Sequence, residues 1–299
     1  MATKQRSRSR RSSPSRDRGP RYVAPVLDPN WQSPYSPTNA EKHNNQKVVR
    51  SFAMRKKLPE SIGVGVVVLI LVAGVIVAPW VPIVGIVVAL LYAWDLRRSL
   101  VRYEAKGLGL GNLVLDQFKA GGTEKDRLRL ATVMDRLAAT FGVDAVNIYI
   151  VSDPGYNAAL VPTGTGLSFF VTDAMMRDFE LIELEGVVAH CLARHRLGLL
   201  LRESLASVAV TNDEARRALA GQGLAYRADE VAAAAIRYPP GLAEALRKCA
   251  GQDLSSTSFF AGTTYAQWRW IWFNMWSDRA SDLGDLDDVE LRARALEEW

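Results

Sequence analysis

Cysteine is nearly absent. Cys191 and Cys249 are the only two in 299 residues and lie far apart. That excludes a disulfide framework and fits a reducing compartment. No apolar core follows the first basic residues, so a secretory signal is not expected. Acidic residues are scarce at the start: residues 1–60 hold 14 Lys or Arg against 4 Asp or Glu, while the rest holds 23 against 28. The formal net charge of +5 therefore belongs to the N-terminal segment, and the remainder is mildly acidic. Charge itself is missing between Ser61 and Trp94, a run of 34 residues.

Residues 1–60 read as a disordered basic tail. Arg6 to Arg18 is almost all Arg and Ser, and prolines follow at 14, 20, 25, 29, 34 and 37. Such a segment buries too little apolar surface to offset the entropy of ordering it. An Arg/Ser run suits a solvated tail marking the cytoplasmic side, or contact with nucleic acid or anionic lipid. Nearer the uncharged run, Lys47, Arg50, Arg55, Lys56 and Lys57 are well placed for anionic headgroups.

A single helix over the uncharged run would measure about 51 Å, against a hydrocarbon core of about 30 Å. Pro79-Trp80-Val81-Pro82 interrupts it, and two prolines two apart break a helix. The reading is a transmembrane helical hairpin within 61–97, with spans near 62–78 and 83–96. Arg97, Arg98, Arg102 and Lys106 follow it, and no charge lies in the turn. The positive-inside rule then predicts a two-span protein of the cell membrane, with the bilayer as partner and both termini cytoplasmic.

Residues 98–299 carry globular patterning. Thr123 and Asp126 form a variant capping box, and Leu130, Val133, Met134, Leu137 and Phe141 recur at helical spacing before Gly142. Residues 146–152 and 167–172 read as strands separated by a Gly/Pro-rich loop. Helices are expected over about 178–210, 224–236, 241–250 and 285–298. Helices dominate and the sheet is small, so the class is α+β.

The stretch 147–198 carries Asp153-Pro154, Asn157-Ala158 and then Gly186-Val187-Val188-Ala189-His190. Leu224-Ala225-Tyr226-Arg227-Ala228-Asp229 follows, with a Pro-containing turn and helix at 238–250. Together with the preceding hairpin, this resembles the HtpX-like membrane zinc metalloproteases, relatives of the prenyl (CAAX) proteases. The resemblance covers roughly residues 100–299 and implies a zincin-like (gluzincin) metalloprotease domain.

It does not imply the activity. The family motif places two His one helical turn apart on a zinc, with a Glu between them as general base. His190 matches the first ligand. Cys191 stands where the base should be, Arg194 replaces the second ligand, and Ala225 replaces the third-ligand Glu. Only His190 and the supporting Asp229 remain. The interval from His190 to residue 225 is short for the family, and Asp282-Leu283-Gly284 stands where a late H-P-P element is expected. One imidazole does not hold a catalytic zinc, and an Arg in the metal position repels it. Zinc is thus expected to be lost and no cofactor is expected. Arg194 is expected to reach into the old cleft and pair with Asp229, or failing that another acidic group, the alternative being that it snorkels to solvent.

Three features stay open. Cys191 and His195, four apart on one helix, could bind metal or form a thiolate pair, against a reading of buried Cys191 and surface His195. Asn157 lies beside the cleft and reads as a turn residue. Trp268, Trp270, Trp272 and Trp276 in 265–276 make either a membrane or partner surface, or core packing over the degenerate cleft. The functional expectation is a membrane-anchored pseudoprotease that scaffolds or binds a polypeptide or membrane partner. The alternative is an active membrane-bound hydrolase with a non-standard site.

Overall fold

The structure, a computed structural model, describes residues 35–73, 81–164, 166–221, 223–275 and 288–299. It is mostly helical with one small sheet, the expected α+β class. Helix α1 (Asn39–Ala73) and helix α2 (Val81–Leu108) pair antiparallel, with the Ser61 and Tyr92 hydroxyls 2.7 Å apart between them. Helices α3 (Leu110–Gln117) and α4 (Glu124–Phe141) lead into strand β1 (Val146–Val151). The predicted capping box of α4 is present, and Gly142 closes the helix in the left-handed conformation, φ 59°.

The order then is β2 (Ala158–Thr163), β3 (Gly166–Thr172), α5 (Asp173–Asp178), α6 (Leu181–Arg196), α7 (Leu200–Val208) and α8 (Asp213–Ala220). Last come α9 (Leu224–Ala233), α10 (Pro239–Ala250), α11 (Thr263–Trp268) and α12 (Val289–Glu297). The sheet runs β1-β3-β2, parallel between β1 and β3 and antiparallel between β2 and β3. The main core lies between the sheet, α4, α6 and α10, around Phe169, Leu184, Val188 and Leu246.

Four expectations change. Residues 39–60 belong to a helix, not to a disordered tail. Val49 and Ala53 are buried on it, and Val49 packs with Leu205, Leu219 and Trp270. The Gly/Pro-rich loop contains strand β2, and Pro162 is tolerated because β2 ends the ladder as an edge strand. The helix expected over 178–210 is two helices. Gly198 takes φ 74° after α6, a left-handed conformation that ends that helix before α7 begins. The last helix starts at Val289, and residues 285–287 lie outside the described ones.

The proposed turn at 79–82 falls largely outside the described residues. Among those described, no helix is long and apolar enough to cross a membrane. The facing helices nonetheless leave Ile62, Val66, Leu69 and Ile70 of α1 exposed, with Ile83, Ile86, Leu90, Leu91 and Trp94 of α2.

Candidate functional site

Helix α6 packs against α4, α9, α10 and β2 and is buried from Gly186 to Arg194. Gly186 permits this: a Cβ there would sit 2.8 Å from Cα and Cβ of Leu242 on α10. The close approach fixes His190 opposite α9, where Asp229 waits. Nδ1 of His190 lies 2.7 Å from Oδ1 of Asp229, and both residues are buried. From α12, Arg292 donates Nε to Oδ2 at 2.6 Å and Nη2 to Oδ1 at 3.1 Å. Asp229 is thus shared between an imidazole and a guanidinium. Burial alone would raise the Asp229 carboxyl, but Arg292 and His190 outweigh it and hold its pKa below the ordinary value. Burial pushes the His190 imidazole down to about 4, with the Asp229 charge opposing. At neutral pH the ring is uncharged and donates its Nδ1 proton to a carboxylate.

Arg194 does not meet Asp229. One turn after His190 it enters the same region, but its Nε donates to Oε1 of Glu203 on α7 at 3.0 Å. Nη1 and Nη2 donate to the carbonyls of Ile271 (3.0 Å) and Trp270 (2.6 Å). Oε2 of Glu203 stands 2.6 Å from Nη2 but outside hydrogen-bonding geometry. Arg194 is 4% exposed, which excludes the snorkelling alternative. The pairing with Asp229 is corrected, while the fallback, another carboxylate in the cleft, describes the geometry. The physical reason is that Arg292 already occupies the second oxygen of Asp229, and the break between α6 and α7 at Gly198 leaves Glu203 beside Arg194.

The segment 258–275 lies over this site and is strapped at both ends by residues of the Asp153–Asn157 loop. Asp153, buried, accepts hydrogen bonds from Ser258 Oγ (2.7 Å) and Phe259 N (2.8 Å). Asn157, fully buried, donates Nδ2 to the Asn274 carbonyl and accepts from Asn274 N, each at 2.9 Å. Asn157 is therefore a buried bracket rather than a turn residue. Between the straps, Phe273 N donates to Ala158 O at 2.7 Å, pairing the segment with the free edge of β2. Trp268, Trp270 and Trp272 are all buried, and Trp276 lies outside the described residues. Of the two readings of the Trp-rich stretch, the described part is core packing over the cleft. What remains is a cavity of about 20 Å³ bordered by His190, Arg194, Ala225, Trp270, Trp272 and Phe273, room for about one water.

The chain matches no protein-family model, no curated protein and no solved structure.

The residues present do not fit a zinc ion. Among the described residues no three His, Cys, Asp or Glu side chains converge as a metal cage. At the compared positions the donors are one imidazole, already bonded through Nδ1, a guanidinium and an alanine methyl. Cys191 offers no thiolate: it is fully buried, and burial pushes its thiol up to about 12. His195 is half-buried, and burial, with the charges of Lys42 and Arg196, holds its pKa below the ordinary value. The Asp282-Leu283-Gly284 element lies outside the described residues. Sequence reasoning missed Glu203 and Arg292 as partners. Two charges in the apolar stretch 197–210 were a usable signal for Glu203, since buried charges are paired. Nothing local in the sequence pointed to Arg292.

Proposed function

We propose that this chain is a membrane-anchored, non-catalytic relative of the HtpX-like metalloproteases, holding or presenting a polypeptide or membrane partner. One observation carries the reading: a buried guanidinium, Arg194, sits one helical turn from His190, where a zinc-ligating imidazole would have to stand. A fixed cation in that place repels a dication. Its hydrogen bonds to Trp270 and Ile271 tie down the segment that fills the groove. Partner binding then belongs on surfaces other than the former cleft, because the cleft has no room for a polypeptide. Anchoring is supported by the 34-residue uncharged run and by the apolar side chains that α1 and α2 leave exposed.

The test is elemental analysis of full-length protein purified from membranes, together with a casein-cleavage assay. The expected result is no stoichiometric zinc and no cleavage. Stoichiometric zinc abolished by His190→Ala, or cleavage sensitive to that substitution, overturns the proposal.

A further inference from the structure

Below the uncharged run, α1 and α2 border a groove of about 400 Å³ that is open to solvent. Its α2 wall is one helical stripe, Asp95, Ser99, Arg102, Tyr103 and Lys106, at spacings of three and four residues. Lys57 of α1 closes the opposite side. The lining thus carries three cations against a single carboxylate. Neighbouring acids take up part of this charge. Lys57 pairs with Glu60 at 2.5 Å, but Arg102 reaches Asp95 only at 3.5 Å, and Lys106 has no acidic partner among the described residues. Tyr103 packs against the Val49 and Leu205 core, and its hydroxyl is closed off from solvent, so it borders the groove without offering that group to it.

We infer that this groove binds a phosphate group, with Lys57, Arg102 and Lys106 supplying charge and Ser99 supplying a hydroxyl donor. Cations with a neutral O–H donor match a multiply acceptor, dianionic head better than a carboxylate or an apolar ligand. The position indicates how such a group would arrive. The stripe starts one residue after Trp94, and Lys57 lies four residues before Ser61. Both therefore fall at the same end of the uncharged run, at headgroup depth. The lipid source rests on the membrane placement proposed above, whereas the phosphate chemistry does not.

The experiment places the full-length chain in phosphatidylcholine nanodiscs and follows its melting temperature in three titrations: dioctanoyl phosphatidic acid, inorganic phosphate, and dioctanoyl phosphatidylcholine as control. A saturable rise is expected with phosphatidic acid and not with the control. Lys106→Gln and Arg102→Gln should each weaken the apparent affinity about fivefold. An equal rise with inorganic phosphate upholds the site and assigns it to free phosphate. No saturable rise with either phosphate probe, or variants that bind like the parent, overturns the inference. Flotation of the same protein with vesicles reads the membrane placement separately. Protein that fails to float but binds inorganic phosphate sinks the anchoring and leaves the groove standing.

Discussion

Oδ1 of Asp229 lies 2.7 Å from Nδ1 of His190, yet the cation bonded to the same carboxylate comes from α12, as Arg292, and not from the neighbouring turn of α6. Both oxygens of the carboxylate are engaged by these two partners. That decides the protonation of the pair and the part of the molecule it holds together. A neutral imidazole is kept buried because a guanidinium, rather than a metal, balances the acid.

A pH dependence follows. The unfolded chain protonates His190 near pH 6.5, whereas the folded chain resists until about pH 4. Below pH 6.5 the unfolded state binds more protons, so stability is full above that value and falls as the pH drops through the window. The expected loss is about 3 kcal/mol between pH 7 and 4. The His195 pKa is also lowered and adds in the same direction, while Asp229 contributes only below the ordinary carboxylate range. The difference between the parent and His190→Gln in urea midpoints at pH 7 and 4.5 isolates His190. An equal slope in both proteins contradicts this account.

The buried pair between α6 and α7 should be strongly coupled. Removing Arg194 leaves Glu203 charged, buried and alone, and frees the Trp270 and Ile271 carbonyls. Arg194→Met should cost about 3–5 kcal/mol. The double variant Arg194→Met/Glu203→Gln should lose less than the sum of its singles, by roughly 0.5–3 kcal/mol. Denaturant unfolding of the four proteins completes the cycle, and additive losses would contradict a direct pairing.

Much of this fold was legible in the sequence. The α4 cap, Gly142 and strands β1 and β3 follow from local chemistry, and they appear where that chemistry puts them. Pro162 concealed β2, because an edge strand tolerates the missing donor that a central strand would not. Gly198 sat inside an apolar stretch that continued across it, so the break before α7 left no signature in the pattern. The helical 39–60 stretch looked polar because its contacts are specific. Asn45 accepts from Arg202 Nη1 at 2.6 Å and donates to the Leu197 carbonyl at 2.7 Å, while Glu41 pairs with Arg227 at 3.0 Å. Such contacts span more than 150 residues and cannot be seen in composition. The site was legible as a loss of ligands, but the partners of Arg194 and Asp229 depended on which helices meet.

Asn45 gives a direct check on that docking. Asn45→Ala removes an acceptor from the buried Arg202, whose Nε is already committed to the Leu219 carbonyl at 2.9 Å. It also leaves Leu197 O without its side-chain donor. A loss of about 1–3 kcal/mol is expected, read as a lower melting temperature. A substitution within 0.5 kcal/mol of neutral would mean that the start of α1 does not pack on α7 in solution.

The topology can be read by labelling. Cys191 and Cys249 are both fully buried, so they will not compete with introduced thiols. A cysteine at Val81 should react with an impermeant maleimide in intact cells, whereas one at the exposed Ser256 should react only after permeabilisation. External labelling at Ser256 would reverse the orientation expected from the flanking Lys and Arg residues.

Gly186 sets two forces against each other. Glycine in a helix interior is about 1 kcal/mol less favourable than alanine, so propensity alone says Gly186→Ala should stabilise α6. Packing says the opposite. A Cβ would meet Cα and Cβ of Leu242 at 2.8 Å and its N at 3.0 Å, and two of those atoms are backbone, which cannot swing aside. Helix α10 would have to move. It carries Arg247, which pairs with Glu290 and Glu297 of α12, and α12 carries Arg292 to Asp229. Overpacking should therefore win, with a net loss of about 1–3 kcal/mol, and the displacement should loosen the seal around His190. Its pKa, read by NMR, should rise from about 4 toward the ordinary 6.5 as water gains access. Leu242→Ala should not rescue the variant, because alanine keeps all three clashing atoms. A stabilised Gly186→Ala protein, or full rescue by Leu242→Ala, would show that α6 and α10 are not held at this distance.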